Sequence, residues 1–119
     1  MATYSRVILS GSTNGKPIPV VAIATPGTAV HTVGTGTTNA DEVWLWVSNV
    51  TATAATLTLE WGAVTDPGGL LVKALSIPAN SPPILVCAGL TLNNAMALAA
   101  FSGTASALNI TGYVNRITA

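Results

Sequence analysis

Charge is what this chain lacks most. Only 7% of its 119 residues are Asp, Glu, Lys or Arg, against about a quarter in an ordinary soluble domain. Four basic residues, Arg6, Lys16, Lys73 and Arg116, balance four acidic ones, Asp41, Glu42, Glu60 and Asp66, and all are scattered. With no basic run or stripe to neutralise phosphates, direct contact with nucleic acid is not expected. Cysteine is nearly absent too. Cys87 alone excludes an intrachain disulfide and a multi-cysteine zinc site. It lies in the apolar run Ile84-Leu85-Val86-Cys87-Ala88, with no His, Lys or Arg beside it to activate the thiol, and reads as a small buried hydrophobe.

Long hydrophobic runs are missing as well, although half of the residues are hydrophobic. The longest greasy tract, residues 84–101, is interrupted by Gly89, Thr91, Asn93 and Asn94, whereas a spanning helix needs about 20 mostly apolar residues. Near the start only Val7-Ile8-Leu9 is apolar before Ser10-Gly11-Ser12, short of the roughly 7 residues that a secretory signal requires. No membrane is therefore expected, and the chain reads as made and kept in a cytoplasm, or released by lysis or assembly. The sequons Asn49-Val50-Thr51 and Asn109-Ile110-Thr111 carry little meaning in that context.

What is there instead is threonine, serine, asparagine and glycine among β-branched and aliphatic residues. Such a surface is soluble without strong repulsion and is easily desolvated against a partner. A length of 119 residues reads as one domain, residues 1–119, able to bury a core without a metal or disulfide. Helix signals are scarce, and Gly, Pro and Asn recur every eight to twelve residues, as in a sandwich or barrel. Strands are expected at residues 5–10, 18–24, 29–33, 42–48, 55–61, 70–77, 84–88, 90–92, 95–101 and 107–117. The segments 84–88 and 90–92 are nearly continuous, and 95–101 also suits a helix, which leaves eight or nine strands. The expected fold is all-β: an antiparallel two-layer sandwich of jelly-roll type, with a short N-terminal arm.

Two segments are the most informative. In residues 42–48, Val43, Leu45 and Val47 fall on one face and Trp44 and Trp46 on the other, so both faces are apolar. Residues 55–61 alternate with Leu57, Leu59 and Trp61 inward and Thr56, Thr58 and Glu60 outward. Residues 49–54 between them read as a hairpin loop. In the last strand Leu108, Ile110 and Val114 face one side and Asn109, Thr111, Tyr113 and Asn115 the other. Trp44, Trp46 and Tyr113 are the candidate interface residues.

Catalytic chemistry has little to work with. His31 is the only histidine and reads as an exposed strand residue; as a general base it would need Asp41 or Glu42 brought to it, with a serine in reach. Asp41 and Glu42 are adjacent, so along a strand they diverge to opposite faces. The glycines of residues 11–15 and 34–36 lack the strand, helix and lysine of a nucleotide loop. Neither a cofactor nor a metal site is expected.

Three stretches carry a resemblance. Residues 4–18 (Tyr-Ser-Arg-Val-Ile-Leu-Ser-Gly-Ser-Thr-Asn-Gly-Lys-Pro-Ile), the pair Asp41-Glu42-Val43-Trp44-Leu45 and Thr56-Leu57-Thr58-Leu59-Glu60-Trp61-Gly62, and the closing Gly112-Tyr113-Val114-Asn115-Arg116-Ile117 resemble small virion structural proteins of tailed bacteriophages. These include jelly-roll capsid decoration, or cement, proteins. The resemblance implies a non-enzymatic virion component, made in the host cytoplasm, that sits as a homotrimer on the major capsid protein and stiffens the head shell. The alternative is a tail, fibre or head-fibre component whose tryptophans contact host surface glycan. Self-association is expected in either case, in low and high salt alike, because near-zero net charge offers little repulsion.

Overall fold

The computed structural model describes residues 2–118. Nine strands and no helix are found among them: β1 (Thr3–Ile8), β2 (Ile18–Pro19), β3 (Thr28–Thr32), β4 (Ala40–Asn49), β5 (Ala55–Trp61), β6 (Leu70–Ile77), β7 (Ser81–Leu92), β8 (Ala97–Ser102) and β9 (Leu108–Thr118). They form two antiparallel sheets, ordered β1-β9-β4-β7, with the short β2 also on β9, and β3-β8-β5-β6. The pairs β1/β9, β3/β8, β4/β7 and β5/β6 are nested like the two arms of one long hairpin. Its tip is the turn expected at Asp66-Pro67-Gly68-Gly69, where the Leu70 amide donates to the Pro67 carbonyl. Wrapping that hairpin around a core yields the strand order of a jelly roll.

Period-two alternation fills the space between the sheets. Val43, Leu45 and Val47 of β4, Leu108, Ile110 and Val114 of β9, and Leu57 and Leu59 of β5 are fully buried there, with Leu98 and Ala100 of β8. Each large aliphatic contributes on the order of 1.5–3 kcal/mol by leaving water. Trp61 packs partly buried at the edge of this cluster. Cys87 is buried among these residues, as expected.

Several expectations are corrected. Residues 49–54 do not close a hairpin: β4 pairs with β7 and β9 while β5 pairs with β6 and β8, so this segment carries the chain from one sheet to the other. The side chain of buried Asn49 shapes that crossing, donating to the Thr53 and Ile77 carbonyls and accepting from Thr51. Its sequon is therefore occupied structurally. Of residues 18–24 only Ile18 and Pro19 are in a strand; beyond them the Val21 and Ala22 amides turn to the Thr28 hydroxyl instead of a ladder. Residues 84–88 and 90–92 belong to one long strand that already starts at Ser81, with Pro82 and Pro83 on a sheet edge, where proline is tolerated.

Candidate interaction surface

The second apolar face expected of β4 is real and lies on the outside of the β1-β9-β4-β7 sheet. Register sets its rows. Arg6, Asn115 and Glu42 lie side by side across β1, β9 and β4; Ile8, Tyr113 and Trp44 form the next row; Thr111 and Trp46 follow. Directly paired residues share a face, so the three residues singled out in the sequence converge. The Trp44 and Trp46 rings are 6.5 Å apart, Trp44 and Tyr113 6.4 Å, and Trp46 and Tyr113 6.1 Å, with planes inclined by 18° to 32°. All three are only partly buried. Exposed Tyr4, Ile8 and Leu85 extend the apolar area, Leu85 opposite Trp46.

Polar groups hold the aromatic residues in place. The Arg6 guanidinium carbon lies 4.3 Å from the centre of the Tyr113 ring, a cation–π contact. One Glu42 oxygen accepts from the Trp44 indole N–H at 2.8 Å and from the Asn115 amide at 3.1 Å. Those two bonds, the Trp44 one foremost, hold the Glu42 carboxyl below its ordinary range. Gly89 makes room for the indole. Its φ is +74°, and a Cβ there would come within 3.0 Å of Trp44 Cζ2. Trp44 therefore lies over the backbone of β7.

No known protein family, curated protein or solved structure matches this chain. Its chemistry is read from its own residues.

The polar groups that could do chemistry are buried and engaged. His31 is 2% exposed, not at the exposed strand position expected of it. Asp41 is indeed brought to it: His31 Nε2 donates to Asp41 Oδ2 at 2.7 Å, while Nδ1 accepts the Ser10 amide at 3.0 Å. The serine in reach thus contributes its backbone, and its hydroxyl accepts from the Thr32 amide. Both ring nitrogens are committed, which leaves no lone pair for a substrate proton. Asp41 is also gripped by Arg116, Nε to Oδ1 and Nη2 to Oδ2, each at 2.9 Å. Burial opposes ionisation of Asp41, but the hydrogen bonds from Arg116 and then His31 outweigh it and hold the carboxyl below its ordinary range. The same bond raises the Arg116 guanidinium further. Asp41 sits on β4 and His31 on β3, so this network ties one sheet to the other. A hollow of about 280 Å³ opens beside it, between residues 33–41 and Arg116, but the charges facing it are already paired with each other.

Glu60 and Thr58, expected outward, are 1% and 5% exposed. The Glu60 carboxylate accepts from the Thr25 hydroxyl and from the Gly27 amide at 2.7 Å, fastening the loop before β3 onto β5. The Thr58 hydroxyl accepts the Ala74 amide, where β6 bulges at a φ of +51°. Asp41 and Glu42 do diverge, one into the network and the other onto the aromatic face. Cys87 gives its thiol hydrogen to the Val43 carbonyl, and burial pushes that thiol's pKa up. No buried side-chain nitrogen or oxygen lacks a partner among the described residues. No group of three or more His, Cys, Asp or Glu among them is placed to hold a metal ion.

Proposed function

We propose that the chain is a non-enzymatic structural subunit of a tailed-phage virion, a capsid decoration (cement) protein that binds and stabilises the assembled head shell. The observation that carries this reading is the outer sheet face: a jelly roll covers one side of β4, and on the other the described residues leave Trp44, Trp46 and Tyr113 partly exposed beside exposed Tyr4, Ile8 and Leu85. Monomeric proteins rarely keep contiguous apolar patches beyond a few hundred Å². The virion assignment comes from the resemblance of residues 4–18, 41–45, 56–62 and 112–117, and it implies a homotrimer with the major capsid protein as partner.

The mechanism is mass action. A subunit that binds the closed shell better than loose capsomers opposes disassembly by its own binding free energy. Individually weak contacts suffice where several copies are linked, because avidity multiplies them. The test is to add purified protein to expanded, undecorated heads of its own phage and measure their tolerance of heat or pressure. Binding with a gain in tolerance supports the role, and absence of both removes it.

One observation favours a second reading, a tail or fibre component that contacts host glycan. Three ring planes within 18° to 32° of one another, bordered by Arg6, Glu42 and Asn115, offer both stacking and hydrogen bonding to a sugar. Tryptophan emission that shifts with host polysaccharide, and does so no longer in Trp44→Ala or Trp46→Ala, would favour it.

A further inference from the structure

We propose that the outer face of the β1-β9-β4-β7 sheet is an isologous interface with a second copy of this chain, its two-fold axis running along β9. The basis is self-complementarity about that strand. Arg6 and Glu42 both pair with Asn115, from opposite sides of β9. Ile8 and Trp44 flank Tyr113 in the same way. Rotation by half a turn about β9 exchanges β1 with β4. It sets Arg6 against Glu42 of the second copy, Glu42 against its Arg6, Ile8 against its Trp44, and Tyr113 against its Tyr113. Opposite charges meet twice, and apolar meets apolar between them.

Other axes lose this match. An axis along β4 turns Glu42 onto its own copy. One midway between β9 and β4 turns Arg6 toward Thr91, the residue paired with Glu42 on β7. Two faces stacked about 10 Å apart leave an arginine and a glutamate within reach of each other. No ion pair joins Arg6 and Glu42 within one copy among the described residues. Arg6 rests on the Tyr113 ring and Glu42 accepts through one oxygen from uncharged donors, so neither charge is neutralised by an opposite one.

Size sets the strength. About an axis along β9 only β1, β9 and β4 overlap, with β7 outside, and three strands about 4.8 Å apart over some seven residues make a plane of roughly 350 Å². Two such faces bury about 700 Å² together, the size of a weak, transient interface. A weak dimer follows, populated only at high concentration. Its exposed ion pairs choose the register more than they add affinity, so salt should affect it weakly. A face that meets itself closes at two copies; the three copies implied by the resemblance need a different surface. The proposal concerns the isolated chain, so its failure leaves the head-binding test standing, and the converse holds too.

The decisive experiment is complementation between two charge variants, followed by sedimentation velocity from micromolar to millimolar concentration. Wild type should dimerise. Arg6→Glu alone and Glu42→Arg alone each set like charges together and should weaken self-association by about tenfold or more. An equimolar mixture of the two should assemble again, as a heterodimer, since each supplies the charge that the other lacks. Rescue in the mixture cannot arise within one chain. If either variant fails to fold by circular dichroism, Ile8→Lys replaces it: it should abolish the dimer, whereas Val64→Lys, on the β5–β6 turn, should leave it intact. A wild-type monomer throughout, a trimer indifferent to these variants, or singles that associate as well as wild type would each overturn the interface. So would a monomer whose tryptophan emission responds to polysaccharide, which assigns the face to glycan instead.

Discussion

Asp41 is the most demanding residue in the molecule, a carboxylate with a side chain 3% exposed that holds two sheets together through His31 and Arg116. Burial opposes its ionisation, but the hydrogen bonds from Arg116 and His31 hold its carboxyl below the ordinary carboxylate range in the fold. Its contribution to stability is therefore complete above the unfolded value and is lost as pH falls through the lower folded one. Thermal scans from neutral to acidic pH should show a melting temperature that drops below about pH 4. Asp41→Asn should flatten that acid limb and, at neutral pH, cost about 2–3 kcal/mol in denaturant titration. Breaking a fully buried pair costs roughly 3–5 kcal/mol, and Arg116, 36% exposed, can partly rehydrate. Cys87 calls for the opposite experiment. Its buried, hydrogen-bonded thiol should resist alkylation in the native state and react only after unfolding, as mass spectrometry would show.

Within elements, local pattern and distant partners divide what the sequence reveals. The two-faced character of β4 and the inward set of β9 are legible in their alternation, and so is the convergence of Trp44 and Trp46. The addition of Tyr113 to that cluster depends on register between β4 and β9, which alternation alone does not supply. His31 and Glu60 were misplaced for a single reason: polarity argues for an outward position, but partners ten and thirty-five residues away make the buried position affordable. The hairpin expected at residues 49–54 does not form because β4 pairs with β7 and β9 while β5 pairs with β6 and β8 in the other sheet, although nearness in sequence favours it. At β7, Gly89 permits the positive φ and the approach of Trp44. Gly89→Ala should cost about 1–2 kcal/mol by forcing an alanine into left-handed backbone. It should also displace the indole, seen as a red shift of tryptophan emission.

For the whole molecule, nested pairing means that few strands can form without the rest. β1 and β9 meet although Thr3 and Thr118 are 115 positions apart. Loops of that length must close before their contacts reward them, so refolding should take milliseconds to seconds, slow for a chain of this size. Stopped-flow tryptophan fluorescence would measure it, and a microsecond phase that carries most of the amplitude would contradict it.

The same pairing brings the two ends of the described chain onto adjacent strands, with Thr3 opposite Thr118. The order in which the strands are synthesised is therefore incidental to their arrangement. A circular permutant that joins those ends through a short glycine-rich linker, and opens the exposed turn between Pro67 and Gly68, keeps every strand pair in register. It also turns the most distant contact, β1 with β9, into a local hairpin, and the local pair β5 with β6 into the most distant one. Such a chain should melt close to the original and fold no faster, because the pairs inside the nest are stretched as the outer one is shortened.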